Sequence, residues 1–254
     1  MARRNFIHEN MLVHVGDSLG DLFVSCGLTH HFAQNVRQTY VCCKDPKYFD
    51  TIQSLYSETP RLRVVNYEEF LALFTTIPSN FYLKGIGCCS MPTRYSNGDY
   101  GSLDVAWERQ MYDNFDLPFS VRYKQFKLPS HIEGSHELKE RLTNGAQEYI
   151  VVNRYMGGEL NKIHHYIDGF NPNNYPVIEI EPDTTTNVLQ YVELFKSAKQ
   201  IHVLPTSIHQ LVDGMTHLIS GDLFFHDIRR NFCSPVNCQW NEFRWNIVSY
   251  TDKR

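Results

Sequence analysis

Three short stretches of this 254-residue chain carry side chains that could do chemistry. The first is His14-Val15-Gly16-Asp17-Ser18-Leu19-Gly20-Asp21, which joins an apolar strand pattern to a helical one. Gly16 and Gly20 allow a tight turn and a close approach of backbone to a ligand. Asp17 and Asp21 could exchange a proton with a bound hydroxyl. Either could equally cap the helix, meeting its free N–H groups and positive end, and spacing alone leaves both roles open. The second stretch runs from Ala198 to His209, where a strand leads into Thr206-Ser207 at a helix start. Small hydroxyls with helix N-terminal amides make an anion site suited to a diphosphate, although a plain Ser/Thr cap needs no ligand. The third is Asn153-Arg154 at the end of an apolar run. A guanidinium there can neutralise phosphate through its fork of donors, and a surface ion pair would also account for it.

These residues need elements to hold them, and the hydrophobic pattern supplies alternating strands and helices. Residues 11–16, 39–43, 61–65 and 81–86 read as strands. Residues 21–34 and 67–74 read as helices, and Asp45 with Pro46 caps and starts a helix reaching about Tyr56. Residues 90–102 read as a loop, 103–114 as a helix, 117–129 as an irregular connector and 131–143 as a helix with a charged, solvated face. The pattern then restarts. Strands are expected at 148–153, 177–180, 200–204 and 223–226, helices at 186–198 and 206–218, and a loop at 156–174. The aromatic tail, residues 240–250, is expected to pack back onto the N-terminal lobe. Strands alternating with helices imply parallel sheets with crossover helices, and ligands bind beyond the carboxyl ends of such strands. All three stretches fall at those ends.

Composition narrows the classes. A hydrophobic fraction of 42% and a charged fraction of 20% belong to a chain that folds around a core. Aromatics at 13% serve cores first and planar or sugar-like ligands second. A net charge of -4 argues against nucleic acid as the main partner. No run approaches the roughly 18 apolar residues that span a bilayer, and no apolar segment follows Arg3-Arg4 as a secretory signal requires. Seven cysteines, four of them in the vicinal pairs Cys42-Cys43 and Cys88-Cys89, point to reduced thiols and a cytoplasmic setting. Cys233 and Cys238 lack the second pair that a zinc site needs, so no metal ligand set is expected.

Taken together, the chain resembles the two-lobed GT-B glycosyltransferases, in particular the heptosyltransferase lineage with its small bacterial and giant-virus sugar transferases. Leu19-Gly20-Asp21 stands where that lineage carries a first-strand LGD loop. The segment from Tyr191-Val192-Glu193-Leu194-Phe195 through Leu211 looks like its helix–strand–hydroxyl-pair–helix unit. Residues 107–112, Leu117-Pro118-Phe119 and Phe126-Lys127-Leu128-Pro129 look like connectors between its lobes. Thr206-Ser207 and Asn153-Arg154 depart from the family's usual pairs but retain phosphate-binding capacity.

The resemblance implies two Rossmann-like lobes, residues 1–130 on the acceptor side and 131–254 on the donor side, with a cleft between them. It implies transfer from a nucleotide sugar, a co-substrate rather than a cofactor, to a glycan or other hydroxyl, with inversion. Asp21 would be the base, with Gly16, Asp17, Ser18 and Gly20 as the acceptor-side loop. Asn153, Arg154, Asn187, Glu193, Thr206, Ser207 and His209 would contact the donor. No Asp-X-Asp motif stands in a suitable loop, so the transfer is expected to need no metal. If the chain is viral, its setting would be the host cytoplasm. Two other readings stand beside this one. Gly16-Asp17-Ser18-Leu19 spells the nucleophile block of GDSL (SGNH) esterases, with Ser18 attacking an acyl carbon, but the partner blocks of that family are absent from the sequence. A non-catalytic nucleotide-sugar-binding protein would use the same phosphate contacts without Asp21.

Overall fold

The computed structural model describes residues 10–14, 18–76, 80–84, 107–113, 115–155, 174–181, 184–227 and 244–249. They fall into two compact units, one ending at Ser130 and the other beginning at His131. The expected loops at 90–102 and 156–174 lie essentially outside the described residues, as do Cys88, Cys89, Cys233 and Cys238.

The first unit opens with β1 (Asn10–His14), whose Met11, Leu12 and Val13 are buried. Helix α1 (Leu19–Asn35) follows and buries 12 of its 17 residues. A helix buried over so much of its length is packed against several neighbours at once. Next come β2 (Gln38–Cys43), a 3-10 turn at Pro46–Tyr48 and α2 (Phe49–Leu55). Asp45 caps the 3-10 turn through the Lys47 N–H at 3.2 Å, with Pro46 leading, as the pair promised. Then β3 (Leu62–Asn66), α3 (Tyr67–Thr76), β4 (Asn80–Lys84) and α4 (Trp107–Asp113) complete the alternation. The sheet is wholly parallel in the order β3-β2-β1-β4. The chain steps from β1 through β2 to β3, then crosses to the far side of β1, so strand order reverses between β1 and β4.

The stretch 117–129, read from sequence as irregular, contains a short helix, α5 (Val121–Lys124), with Arg122 wholly buried. It is pressed onto α1. A Cβ built on Gly27 would stand 2.7 Å from the Arg122 Cα and 2.5 Å from its carbonyl oxygen. Tyr112 of α4 ties down the same helix, donating its hydroxyl to the Val24 carbonyl at 2.7 Å. Only glycine lets the two backbones meet at residue 27.

The second unit begins with α6 (Ser135–Thr143), which starts later than its sequence pattern because Gly134 takes a left-handed φ of 75°. Then come β5 (Ile150–Val152), β6 (Val177–Glu179), a 3-10 turn at Val188–Tyr191 and α7 (Val192–Ser197). After these stand β7 (Gln200–Val203), α8 (Ser207–Gly214), a 3-10 turn at Thr216–Leu218, β8 (Asp222–Asp227) and β9 (Trp245–Ser249). This sheet too is wholly parallel, ordered β6-β5-β7-β8-β9, and its order reverses between β5 and β7.

Strand β9 takes up residues 245–249 of the aromatic tail. It is the edge strand of the second unit's own sheet, with Trp245 in register with Leu223. Trp245 explains the placement: its indole N–H donates to the buried Asp213 carboxylate at 3.0 Å, and its ring lies edge-on to His209 and Phe225. An indole has one donor to satisfy when buried, and α8 supplies the acceptor.

Substituting Gly27 with alanine forces α1 and α5 apart, because both clashing atoms are backbone. The expected loss is about 1–3 kcal/mol of unfolding free energy, read from urea denaturation, with secondary structure retained.

Candidate functional site

In each parallel sheet, the carboxyl ends on either side of the reversal are the places where crossover connections part and leave room for a ligand. The sequence-selected residues can be placed against those two points.

In the first unit the point lies beyond β1. Ser18 is the N-cap of α1, extended at φ -110° and ψ 140°, and its hydroxyl oxygen accepts the Asp21 N–H at 3.2 Å. The capping oxygen is therefore supplied by Ser18. Asp21 stands third in the helix, half-buried, with its carboxylate in the first turn where the helix's positive end favours it. Gly20 is helical, so the expectation that it forms a turn is corrected: once Ser18 caps, the helix begins at Leu19. Gly16 and Asp17 lie outside the described residues.

In the second unit the point lies between β5 and β7, and here the structure joins two of the three stretches. Asn153 follows β5 and is buried; its N–H donates to the His202 carbonyl of β7 at 2.8 Å. Its side-chain oxygen accepts the Thr206 hydroxyl at 3.0 Å, directly across the reversal. Thr206 is extended at φ -135° and ψ 178°, and it precedes α8 without capping it. Its hydroxyl goes to Asn153 instead of a helix amide. Ser207, half-buried, is the first residue of α8.

Arg154, next along, donates through Nη1 to Glu179 Oε2 at 2.7 Å, the two side chains 15% and 27% exposed. Glu179 is in register with Val152, so adjacent strand ends set the pair. The pairing of β6 with β5 is what reveals Glu179 as the partner of Arg154.

A second arrangement that sequence reading missed lies on β7 and β8. His202 and His226 are both buried, with Nδ1 of the first 2.9 Å from Nε2 of the second. His202 Nε2 lies 3.3 Å from the Gln200 side-chain oxygen, and its ring stacks flat on Phe224 at 4.4 Å. Of the two facing ring nitrogens one donates and the other accepts, and the tautomers set which. Burial, then His226, then Arg154 push His202 down to about 3. Burial and Arg154 push His226 down to about 4. Both rings are neutral at neutral pH. Histidine at alternate positions on neighbouring strands was the available signal, but it needed the register to be read.

Three of the expected donor contacts have partners within the fold. His209 is wholly buried, with its ring against Phe225 at 4.8 Å and Trp245 at 5.0 Å. Asn187 caps the 3-10 turn, accepting the Leu189 N–H at 3.1 Å. Glu193 pairs with Lys196 at 2.7 Å one turn along α7. Among the described cysteines, Cys26, Cys42 and Cys43 are buried, and burial pushes Cys26 up to about 12. No helix among the described residues is long and apolar enough to cross a membrane.

Two wholly parallel sheets, each with one reversal of strand order, define an α/β protein of two Rossmann-like units. No family model and no curated protein matches the chain. Among solved structures it is similar to the glycosyl transferase family 9 structure from Veillonella parvula, at 8% identity, over 97% of this chain and 87% of that one, with a TM-score of 0.52. It is also similar to the ADP-heptose LPS heptosyltransferase II of E. coli, at 11% identity, over 94% of this chain and 90% of that one, with a TM-score of 0.49. At such identities the likeness is one of fold. The first comparison carries it, and the chain has the GT-B-like fold that its sequence resembles.

Two outcomes follow from this geometry. Thr206→Val removes the hydroxyl and leaves the buried Asn153 oxygen without that donor, which should cost about 1–3 kcal/mol in chemical denaturation. The two histidines bind protons more readily in the unfolded chain, near 6.5, than in the fold, near 3 and 4. Their contribution to stability is whole above pH 6.5 and falls as pH drops towards 4. The melting temperature should fall through that window, and His226→Gln should flatten the profile.

Proposed function

We propose that this chain is a glycosyltransferase of hexosyl or deoxyhexosyl type, moving a sugar from a nucleotide-sugar donor to an acceptor hydroxyl with inversion and without a metal. The observation that carries the reading is the Thr206–Asn153 hydrogen bond, which turns the threonine hydroxyl away from α8 and sets polar groups beside that helix's first-turn amides at the sheet's reversal. Oriented amides and hydroxyls at a helix start suit a diphosphate. The fold likeness to a glycosyl transferase supports the same reading.

The donor's diphosphate is assigned to the second unit, to the start of α8, Thr206, Ser207 and the neighbouring Asn153 and Arg154. The acceptor is assigned to the first unit, at Asp21. In the reaction the acceptor oxygen attacks the anomeric carbon while the carboxylate of Asp21 takes its proton. The bond from that carbon to the phosphate oxygen breaks, and the nucleoside diphosphate leaves with its charge stabilised by the amides, hydroxyls and guanidinium. The sequence expectation of metal independence rests on the missing Asp-X-Asp motif. The setting proposed is cytoplasmic, with no nucleic-acid partner.

Asp21→Asn is the decisive variant. Turnover of a nucleotide sugar should fall roughly 100-fold or more while nucleotide binding stays at the wild-type level. Wild-type turnover should survive a chelator. A variant that turns over normally would remove Asp21 from the chemistry, and equal indifference with binding intact would favour a non-catalytic binder. Rapid acylation of Ser18 by a fluorophosphonate would favour the esterase.

A further inference from the structure

We propose that Glu179 sets the affinity of the second unit's site for a diphosphate, by holding Arg154 in a half-buried ion pair that an incoming phosphate must share or displace. This rests on the donor reading of the same site. Glu179 ends β6 and Arg154 follows β5, with Nη1 and Oε2 2.7 Å apart. On the other side of β5, the Asn153 oxygen receives the Thr206 hydroxyl. A carboxylate, a guanidinium and a hydroxyl thus stand on the consecutive ends of β6, β5 and the β7–α8 link.

Both partners are largely withdrawn from water, so salt screens them less than a surface pair. The two imidazoles under the influence of Arg154 add no charge at neutral pH, because burial keeps them neutral. Within this pair one cation is therefore balanced by one anion. A diphosphate drawn to Arg154 meets the like charge of Glu179 at the same strand ends. Attraction and repulsion partly cancel, so phosphate alone is held weakly. A ligand with further contacts through its sugar or base can offset that exchange. The diphosphate left after transfer, deprived of the sugar, is released more readily. Glu179 in this role is a specificity-determining residue that touches no reacting atom.

The test is isothermal titration of the full chain with ADP, GDP, UDP and inorganic pyrophosphate, comparing wild type with Glu179→Gln, Glu179→Asp and Arg154→Gln. Glu179→Gln should bind the preferred nucleoside diphosphate, and pyrophosphate, about tenfold tighter. Arg154→Gln should bind both more weakly. Unchanged or weaker binding by Glu179→Gln overturns the proposal while the donor reading stands, since Glu179 then only positions Arg154. Absence of binding by any phosphate ligand to any of the four proteins overturns the donor reading, and this proposal with it. Should the glutamine variant not fold, Glu179→Asp decides. Drawing the carboxylate back by one methylene loosens its hold on Arg154, so tighter binding supports the proposal and unchanged or weaker binding overturns it.

Discussion

Parallel pairing puts every strand's carboxyl end on one edge of its sheet, and the order of strands reverses once in each unit. Those two facts constrain everything else in this molecule. On either side of a reversal the crossover connections leave on opposite faces, so the strand ends there are not closed over by a single helix. In the second unit the pairing of β5 with β7 brings Asn153 and Thr206, far apart in sequence, to within a hydrogen bond. The hydroxyl that would ordinarily cap α8 is spent on that bond, and the helix start takes its place at the strand edge.

Three polar pairs tie neighbouring elements of the second unit together: Trp245 to Asp213, His226 to His202, Arg154 to Glu179. Leaving any of them unmade would forfeit a desolvated donor or acceptor, which costs more than the bond contributes when present. The same bonds connect edge strand to helix and strand to strand, so they fix the tail and the sheet's polar edge. In the first unit the comparable constraint is steric. The backbone of α5 rests on α1 at Gly27, and the stretch up to Ser130 is held by further bonds such as Ser130 to Glu58.

Much of the fold was legible along the chain. The strand at 39–43, the Asp45-Pro46 start and the alternation through 84 came from local pattern: apolar runs bounded by residues with fixed turn and cap chemistry. The choice of cap before α1 was not legible, because Asp17, Ser18 and Asp21 all bear oxygens that can accept a helix N–H. Backbone geometry at Ser18 settled it. The rings that His209 packs against were not legible either, because Phe225 and Trp245 stand on two other strands. The pair Arg154–Glu179 was invisible for the same reason, since 25 residues and a strand pairing separate its members.

The sequence by itself determined the alternation of strands and helices, the restart that makes two units, and the polar character of the strand ends, because these depend on the periodicity and turn chemistry of neighbouring residues. Strand order and register decided the rest. They set which oxygen meets which donor, which histidines sit back to back, which charge is balanced, and where the tail pairs. Such contacts arise between residues distant in the chain, and no local propensity encodes them.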